Sequence, residues 1–187
     1  MSTGTLEREI KLRFSSAAEA REAIALSGAT SVRGRRLQED CLLDTADERV
    51  RGQRSVLRVR MEQGRSLLTY KGPVQPSPWK LREERETVVS DGETMLYVLE
   101  RLGYDVWFRY QKYREEFGAL DAIIALDETP IGTFVEIEGS EAAITGIAIA
   151  LGRTERDYLV DSYRGLYVQH CAEHGIEQRD MLFEEPA

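Results

Sequence analysis

Three segments of the chain alternate charged and apolar side chains along consecutive residues. Residues 7–11 read Glu-Arg-Glu-Ile-Lys, residues 57–60 read Leu-Arg-Val-Arg, and residues 135–139 read Val-Glu-Ile-Glu-Gly. Successive side chains of a β-strand point to opposite faces, so each segment is predicted to be a strand with one charged and one apolar face. The charged faces carry both signs, a composition suited to binding a polyanion together with metal ions.

Composition sets the scale of the molecule and excludes some partners. The 187 residues, 42% of them hydrophobic, predict a single domain over residues 1–187 with a sizeable core. The net charge of −8 argues against non-specific binding to nucleic acid or acidic membranes, which requires a basic surface. A local basic pocket remains compatible with that charge.

Three features of the sequence bear on the cellular location of the protein: its apolar stretches, its first residues and its cysteines. Its longest apolar stretch, residues 144–151, is too short to cross a bilayer, and a short polar start is followed at once by a charged strand. Cys41 and Cys171 lack metal or redox spacing and are interpreted as buried small hydrophobic residues. We therefore expect a cytoplasmic protein.

The remaining patterns predict eight strands and four helices, hence an α+β fold. The predicted strands span 6–14, 32–44, 56–62, 66–71, 80–89, 107–117, 119–127 and 133–138. Ser and Asp capping signals predict helices over 16–27, 91–102 and 142–151. A longer helix is predicted over 155–174, and the acidic tail from Gln178 is expected to be loose.

The charged faces of the predicted strands form one large set. It comprises Glu7, Glu9, Lys11, Arg58, Arg60, Glu62, Lys71, Lys80, Arg82, Glu84, Glu86, Lys112, Arg114, Asp127, Glu136 and Glu138. An antiparallel sheet with one wet face would explain any single strand. Arg and Glu recur on strand after strand, however, and the helices could cover the apolar faces. Both features favour a closed or nearly closed barrel with a charged lumen and an outer helical coat. Arg8, Glu83 and Arg85 fall on the opposite face.

This ordered set of motifs resembles the CYTH superfamily, the triphosphate tunnel metalloenzymes, over nearly the whole chain. The resemblance rests on Glu7-x-Glu9-x-Lys11, Leu57-Arg58-Val59-Arg60, Thr69-Tyr70-Lys71-Gly72, Arg82-x-Glu84-x-Glu86, Lys112-x-Arg114, Leu126-Asp127, the run 134–139, and Ser162-Tyr163-x-x-Leu166. It implies an eight-stranded antiparallel closed β-barrel, a tunnel flanked by helices.

The same resemblance implies roles for individual residues. Phosphate oxygens would be bound by Lys11, Arg58, Arg60, Lys71, Arg82, Lys112 and Arg114, with Lys11 and Lys71 also catalytic. Mg²⁺ or Mn²⁺ would be held by Glu7, Glu9, Glu84, Asp127, Glu136 and Glu138. For Arg82, pairing with a carboxylate is the alternative to contact with substrate.

The expected ligand is a small molecule with a triphosphate group: tripolyphosphate, thiamine triphosphate or ATP. Neither nucleic acid nor a membrane is expected as a partner, and a homodimer is possible. Metal-dependent hydrolysis is favoured because no adenine-reading motif is recognisable. The alternatives are a class IV type adenylyl cyclase, which would convert ATP to cyclic AMP and pyrophosphate, and a non-catalytic module that binds nucleotides or polyphosphate.

Two further signals have ordinary structural interpretations. His170 and His174 are spaced one helical turn apart, but the glutamate of the zincin motif is missing after His170, so a place on the helix surface or in the core is favoured over a metal site. The aromatic residues around Trp107 are interpreted mainly as core or strand-pair residues rather than as a base-stacking platform.

Overall fold

The structure, a computed structural model, describes residues 5–184 and contains a closed antiparallel barrel. Going round the barrel, the strands follow the order β1-β5-β4-β3-β2-β6-β7-β8. Their bounds are β1 Thr5–Phe14, β2 Thr30–Thr45, β3 Val56–Glu62, β4 Arg65–Lys71, β5 Lys80–Val89, β6 Tyr104–Ala119, β7 Ala122–Thr129 and β8 Gly132–Gly139. The predicted α+β barrel of eight antiparallel strands is therefore confirmed.

Five helices accompany the strands in the described part of the chain. They are α1 Ala17–Leu26, α2 Arg49–Gly52, α3 Gly92–Arg101, α4 Glu141–Ala150 and α5 Tyr163–His174. The longer ones begin at side-chain caps: Ser16, Asp91, Ser140 and Ser162 each accept a hydrogen bond from the backbone N–H three residues further on. The capping signals at Ser16, Asp91 and Ser140 thus predicted three of these helix starts, whereas the cap at Ser162 was not predicted.

The outward faces of β1, β7 and β8 form the main hydrophobic core with α1 and α4. Ile10, Leu12, Ile124, Ile137 and Ile144 are completely buried there. A smaller cluster joins α3 to the outward faces of β2, β3 and β6. The helical coat is partial, because Tyr70 on the outer face of β4 and Arg85 on the outer face of β5 stay exposed.

The C-terminal helix α5 packs against one end of the barrel. Leu42, Phe108, Tyr110 and Phe134 lie on the inward faces of their strands near that end, and they form an apolar cluster with Tyr163 and other residues of α5. We call this the capped end, and the opposite end, where β1 begins and β8 finishes, the mouth. Helix α5 thus positions Tyr163 against the interior of the barrel.

The long helix predicted over residues 155–174 was wrong in its first half. Glu155–Asp157 is a single 3-10 turn, and Leu159 is extended and pairs with β1. The Lys11 N–H donates to the Leu159 carbonyl at 2.9 Å, and the Leu159 N–H donates to the Lys11 carbonyl at 2.9 Å. Pairing with a strand edge outweighed the local helical pattern, and the helix begins only after its cap at Ser162.

The expectation of a loose tail was also wrong for its first residues. Met181 is buried and pairs with β6: its N–H donates to Arg109 at 3.0 Å, and its carbonyl accepts from Gln111 at 2.9 Å. Within residues 5–184, no helix is both long enough and apolar enough to cross a bilayer. Cys41 and Cys171 are both free and buried, as interpreted.

Helix α4 offers a matched test of the core. We expect Ile144→Ala to lower the free energy of unfolding by about 2–5 kcal/mol, because the side chain is completely buried between α4 and the barrel. Ile149→Ala, which removes the same atoms from the same helix at a site that is 66% exposed, should change it by less than about 0.5 kcal/mol. Urea unfolding of both variants measures the difference, and equal effects would contradict this assignment of the core.

Candidate active site in the barrel lumen

The inward strand faces surround a cavity of about 1470 Å³ that runs through the barrel. Every site residue predicted from the sequence lines it except Asp127, which lies behind the wall of the cavity. Lys80, Glu62 and Glu86, placed on the charged face by sequence alternation, line it as well. The charged side chains therefore converge in one lumen, while Arg8 points outward to Glu141 of α4.

On the side formed by β1, β4 and β5, carboxylates and cations alternate. The Lys71 ammonium lies 2.6 Å from Glu7 and 2.9 Å from Glu84, and Arg82 donates to the second Glu7 oxygen at 3.2 Å. Arg82 is thus paired with a carboxylate, the alternative that the sequence left open for it. Burial and the nearby charge of Glu9 raise the pKa of Glu7.

Further into the lumen, Glu9 lies between two lysines. Its Oε1 is 2.6 Å from the Lys80 ammonium and 2.9 Å from that of Lys11, which also lies 3.3 Å from Glu136. Burial opposes ionisation of Glu9, but the two lysines outweigh it and hold its pKa well below the ordinary value. Burial lowers the pKa of Lys80 to about 8, whereas Glu9 and Glu136 overcome burial and raise that of Lys11.

Across the barrel, Asp40 of β2 holds the two arginines of β3. Arg60 donates to both carboxylate oxygens, at 2.8 and 3.2 Å, and the Arg58 Nε lies 3.3 Å from Oδ1. Asp40 is completely buried, which by itself would raise its pKa, but the two guanidinium groups prevail and lower it to about 2. Asp40 therefore fixes both arginines in the lumen wall.

Asp127 plays the corresponding part for the two basic residues of β6. Arg114 donates to its two oxygens at 2.7 and 2.5 Å, and Lys112 donates to Oδ2 at 2.9 Å. The Tyr163 hydroxyl of α5 donates to the same oxygen at 2.6 Å, and Arg114 also contacts Glu136. Burial, with the adjacent Arg114, lowers the pKa of Lys112 to about 8.

Glu138 differs from the other lumen carboxylates. Its side chain is exposed at the mouth and makes no ion pair with any residue between 5 and 184. Partial desolvation there, together with the charges of Glu7 and Glu9, raises its pKa to about 7. The carboxylates of Glu7, Glu9 and Glu84 therefore outweigh the ammonium group of Lys71 in their effect on Glu138.

Three side chains that contact the site were missed by the sequence reasoning. Asp40 and Gln38 alternate with Leu42 on β2, so extending the strand-face rule to the predicted strand 32–44 would have found them. Tyr163 belongs to the Ser162-Tyr163-x-x-Leu166 motif, on which the resemblance partly rests. No local pattern, however, indicated that its hydroxyl would reach Asp127 on β7.

The chemistry of the carboxylates fits Mg²⁺ or Mn²⁺, which prefer oxygen ligands. Glu7, Glu9, Glu84 and Glu138 lie on the neighbouring strands β5, β1 and β8, and the last makes no ion pair within the described residues. No three Asp, Glu, His or Cys side chains of the described residues already form a metal cluster. These carboxylates are therefore chemically suitable as metal ligands, and most of them form ion pairs with lysine or arginine in the structure.

The model of the CYTH domain matches residues 5–151 of this sequence, most of the chain. The chain belongs to the CYTH family. A protein of Methanocaldococcus jannaschii named as a candidate adenylate cyclase is 30% identical over 136 residues, which are 72% of this chain and 77% of that protein.

Solved structures share the CYTH barrel. A candidate adenylate cyclase from Vibrio parahaemolyticus has a TM-score of 0.74 at 22% identity, covering 87% of this chain and 97% of its own. A Hippeastrum protein, described as a candidate adenylyl cyclase with a dominant triphosphatase activity, has a TM-score of 0.62 at 18% identity, covering 92% and 97%. At these identities the likeness establishes the common fold.

The Asp40 ion pairs predict a pH-dependent stability. We expect Asp40→Asn to lower the free energy of unfolding by about 2–3 kcal/mol at pH 7, since it removes the carboxylate from two buried guanidinium groups. The folded-state pKa of Asp40 lies below the unfolded value of about 3.9, so its contribution is complete above that pH and is lost as the pH falls towards 2.

Urea unfolding of wild type and Asp40→Asn between pH 7 and pH 2 measures this effect, and the two curves should converge at the acidic end. Asp105→Asn, a change at an exposed aspartate of β6, is the control and should alter stability by less than about 0.5 kcal/mol. A constant difference between wild type and Asp40→Asn down to pH 2 would contradict the ion-pair assignment.

Proposed function

We propose that this CYTH protein is a divalent-metal-dependent enzyme that hydrolyses a phosphoanhydride bond of a triphosphate held in the barrel lumen. The observation that carries the proposal is the convergence of cationic side chains from β1, β3, β4 and β6, interleaved with carboxylates, in a single cavity inside the barrel. Cations and carboxylates side by side can bind a triphosphate together with its metal ion.

The cations would bind the phosphate oxygens. Arg58, Arg60 and Arg114 present planar guanidinium groups that can bind two oxygens at once, and lysines such as Lys11 and Lys71 add compact charges. In the structure these groups contact carboxylates at hydrogen-bond distance. The incoming phosphate oxygens would replace part of those contacts, so the cations exchange one anionic partner for another and are not left unpaired.

The mouth-side carboxylates would hold the metal. We assign this role to Glu7, Glu9, Glu84 and Glu138, because their oxygens suit a hard cation and Glu138 makes no ion pair within residues 5–184. A bound Mg²⁺ or Mn²⁺ would polarise phosphate oxygens and neutralise charge on them. Glu136 and Asp127 remain predictions as ligands, and their contacts with Arg114 support a positioning role instead.

The chain's own groups would supply positioning and charge stabilisation. Phosphoryl transfer has little covalent chemistry for a protein to perform, so fixed cations around the reacting phosphate provide most of the effect. Lys11 and Lys71, the proposed catalytic residues, are 1% and 6% exposed and are each held by two carboxylates. Their ammonium groups are therefore oriented before the substrate arrives.

Cyclisation of ATP is the second candidate function. It is favoured by the name of the Methanocaldococcus jannaschii relative, which is 30% identical to this chain. The same cationic lumen would serve it, with the ribose 3′-hydroxyl attacking the α-phosphorus and pyrophosphate leaving. Hydrolysis is preferred because no adenine-reading motif is recognisable in the sequence, and the activity named for the Hippeastrum protein agrees with that preference.

A substrate screen tests the proposal directly. Purified protein should release phosphate from tripolyphosphate, thiamine triphosphate or ATP with Mg²⁺ or Mn²⁺, and excess EDTA should abolish turnover. Cyclic AMP formed from ATP would instead establish the cyclase. Tight binding without turnover, measured by calorimetry, would indicate the non-catalytic module, and neither binding nor turnover by folded protein would exclude all three functions.

Single substitutions should separate the lumen from the outer surface. Lys71→Ala and Glu138→Ala are each expected to lower kcat/KM by about 100-fold or more, because each removes a charge from the reacting region. Glu83→Ala is the matched control: Glu83 lies on β5 next to Glu84 but points outward to Arg85. Unchanged activity in both lumen variants would contradict the proposal, as would an equal loss in the control.

A further inference from the structure

Asp127 has no free position for a further ligand on Oδ2. Lys112, Arg114 and Tyr163 all donate to that oxygen, at 2.9, 2.5 and 2.6 Å, and Oδ1 accepts from Arg114. The carboxylate is completely buried and does not line the cavity. Its contacts are those of a group that holds two cations in place from behind.

Tyr163 touches this arrangement in two ways. Its hydroxyl donates to Asp127, and its ring lies beneath two ammonium groups, with Lys112 Nζ at 4.7 Å and Lys11 Nζ at 5.2 Å from the ring centroid. A lysine over an aromatic face is attracted by the ring quadrupole, most strongly when desolvated. One side chain of α5 therefore contacts Asp127 and two of the cations proposed to bind phosphate.

The backbone before α5 reinforces the connection. Leu159 exchanges two backbone hydrogen bonds with Lys11, and Ser162 caps the helix immediately before Tyr163. The ring of Phe134 packs edge-on against Tyr163 at 5.6 Å between centroids. Tyr163 is thus fixed at the first helical residue, while its hydroxyl reaches into the barrel wall.

We propose that Tyr163 is a positioning residue that couples the capping helix α5 to the phosphate-binding cations Lys11, Lys112 and Arg114. The inference rests on the proposed function and extends it to a residue outside the span matched by the family model. Without the hydroxyl, Oδ2 of Asp127 would lose one of its three donors, and Lys112 and Arg114 would no longer be held in a single arrangement. Binding of a polyphosphate would then have to order them.

The test compares two tyrosines of the same helix. Tyr163→Phe keeps the ring and removes only the hydroxyl. Tyr167→Phe is the matched control, since its hydroxyl accepts a backbone N–H from Arg179 and lies away from the lumen cations. Calorimetry with tripolyphosphate, once in EDTA and once with Mg²⁺, measures affinity, and thermal unfolding of each variant monitors the fold.

We expect Tyr163→Phe to bind tripolyphosphate about tenfold more weakly under both conditions, while Tyr167→Phe binds within about twofold of wild type. In turnover, the loss should appear mainly as a raised KM, the signature of a binding contribution common to ground and transition states. A purely structural role would lower the unfolding temperature without changing the affinity of the folded protein.

The outcomes distinguish this inference from the proposed function. Wild-type binding with unchanged affinity in Tyr163→Phe would overturn the coupling alone, whereas absence of wild-type binding and turnover would overturn the proposed function and the coupling with it. If Tyr163→Phe does not fold, Tyr163→Met fills the space with a flexible side chain and must also weaken binding for the coupling to stand.

Discussion

Pairing of opposite charges inside the barrel is the constraint on which the rest of the structure depends. A buried ammonium or guanidinium group is stable only beside an acceptor, and removing one partner of such a pair is costly. The strand register meets this demand by setting acids directly opposite bases on neighbouring strands: Glu7 faces Arg82, Lys71 faces Glu84, Asp40 faces Arg60, and Arg114 faces Asp127. A slip of one residue would turn every charged face outward and the apolar faces inward. Charge pairing and hydrophobic burial therefore select the same register.

The carboxylates of the lumen differ in how deeply they are buried beside their cationic partners. Asp40 and Asp127 are completely buried behind the cations that they hold, whereas Glu84 and Glu138 are partly or fully accessible towards the mouth. The inner carboxylates are therefore suited to maintaining the positions of arginine and lysine side chains. The outer carboxylates can exchange a partner or accept a new one. This difference in solvent accessibility gives separate physical roles to carboxylates that look alike in the sequence.

Sequence reasoning recovered the barrel and most of its lumen because both follow from the two-residue period of a strand, which is local and strong. It placed Glu7, Arg58 and Glu138 on the inner face without knowledge of strand order. It did not distinguish carboxylates that stay accessible near the mouth from those buried behind cations, since the contacts of Asp127 come from donors on β6 and α5. The start of α5 was mispredicted for a similar reason: pairing of Leu159 with Lys11 is a contact between residues distant in the chain, and local helical preference cannot report it.

The pairings of Leu159 with β1 and of Met181 with β6 have a consequence for the solubility of the molecule. Exposed strand edges are templates for strand addition between molecules. Leu159 and Met181 form backbone hydrogen bonds with residues of β1 and β6 whose edges would otherwise be open. The chain after α4 thus covers open strand edges, in addition to capping one end of the barrel. A molecule shortened before Leu159 would display two bare stretches of sheet, and self-association would then compete with correct assembly.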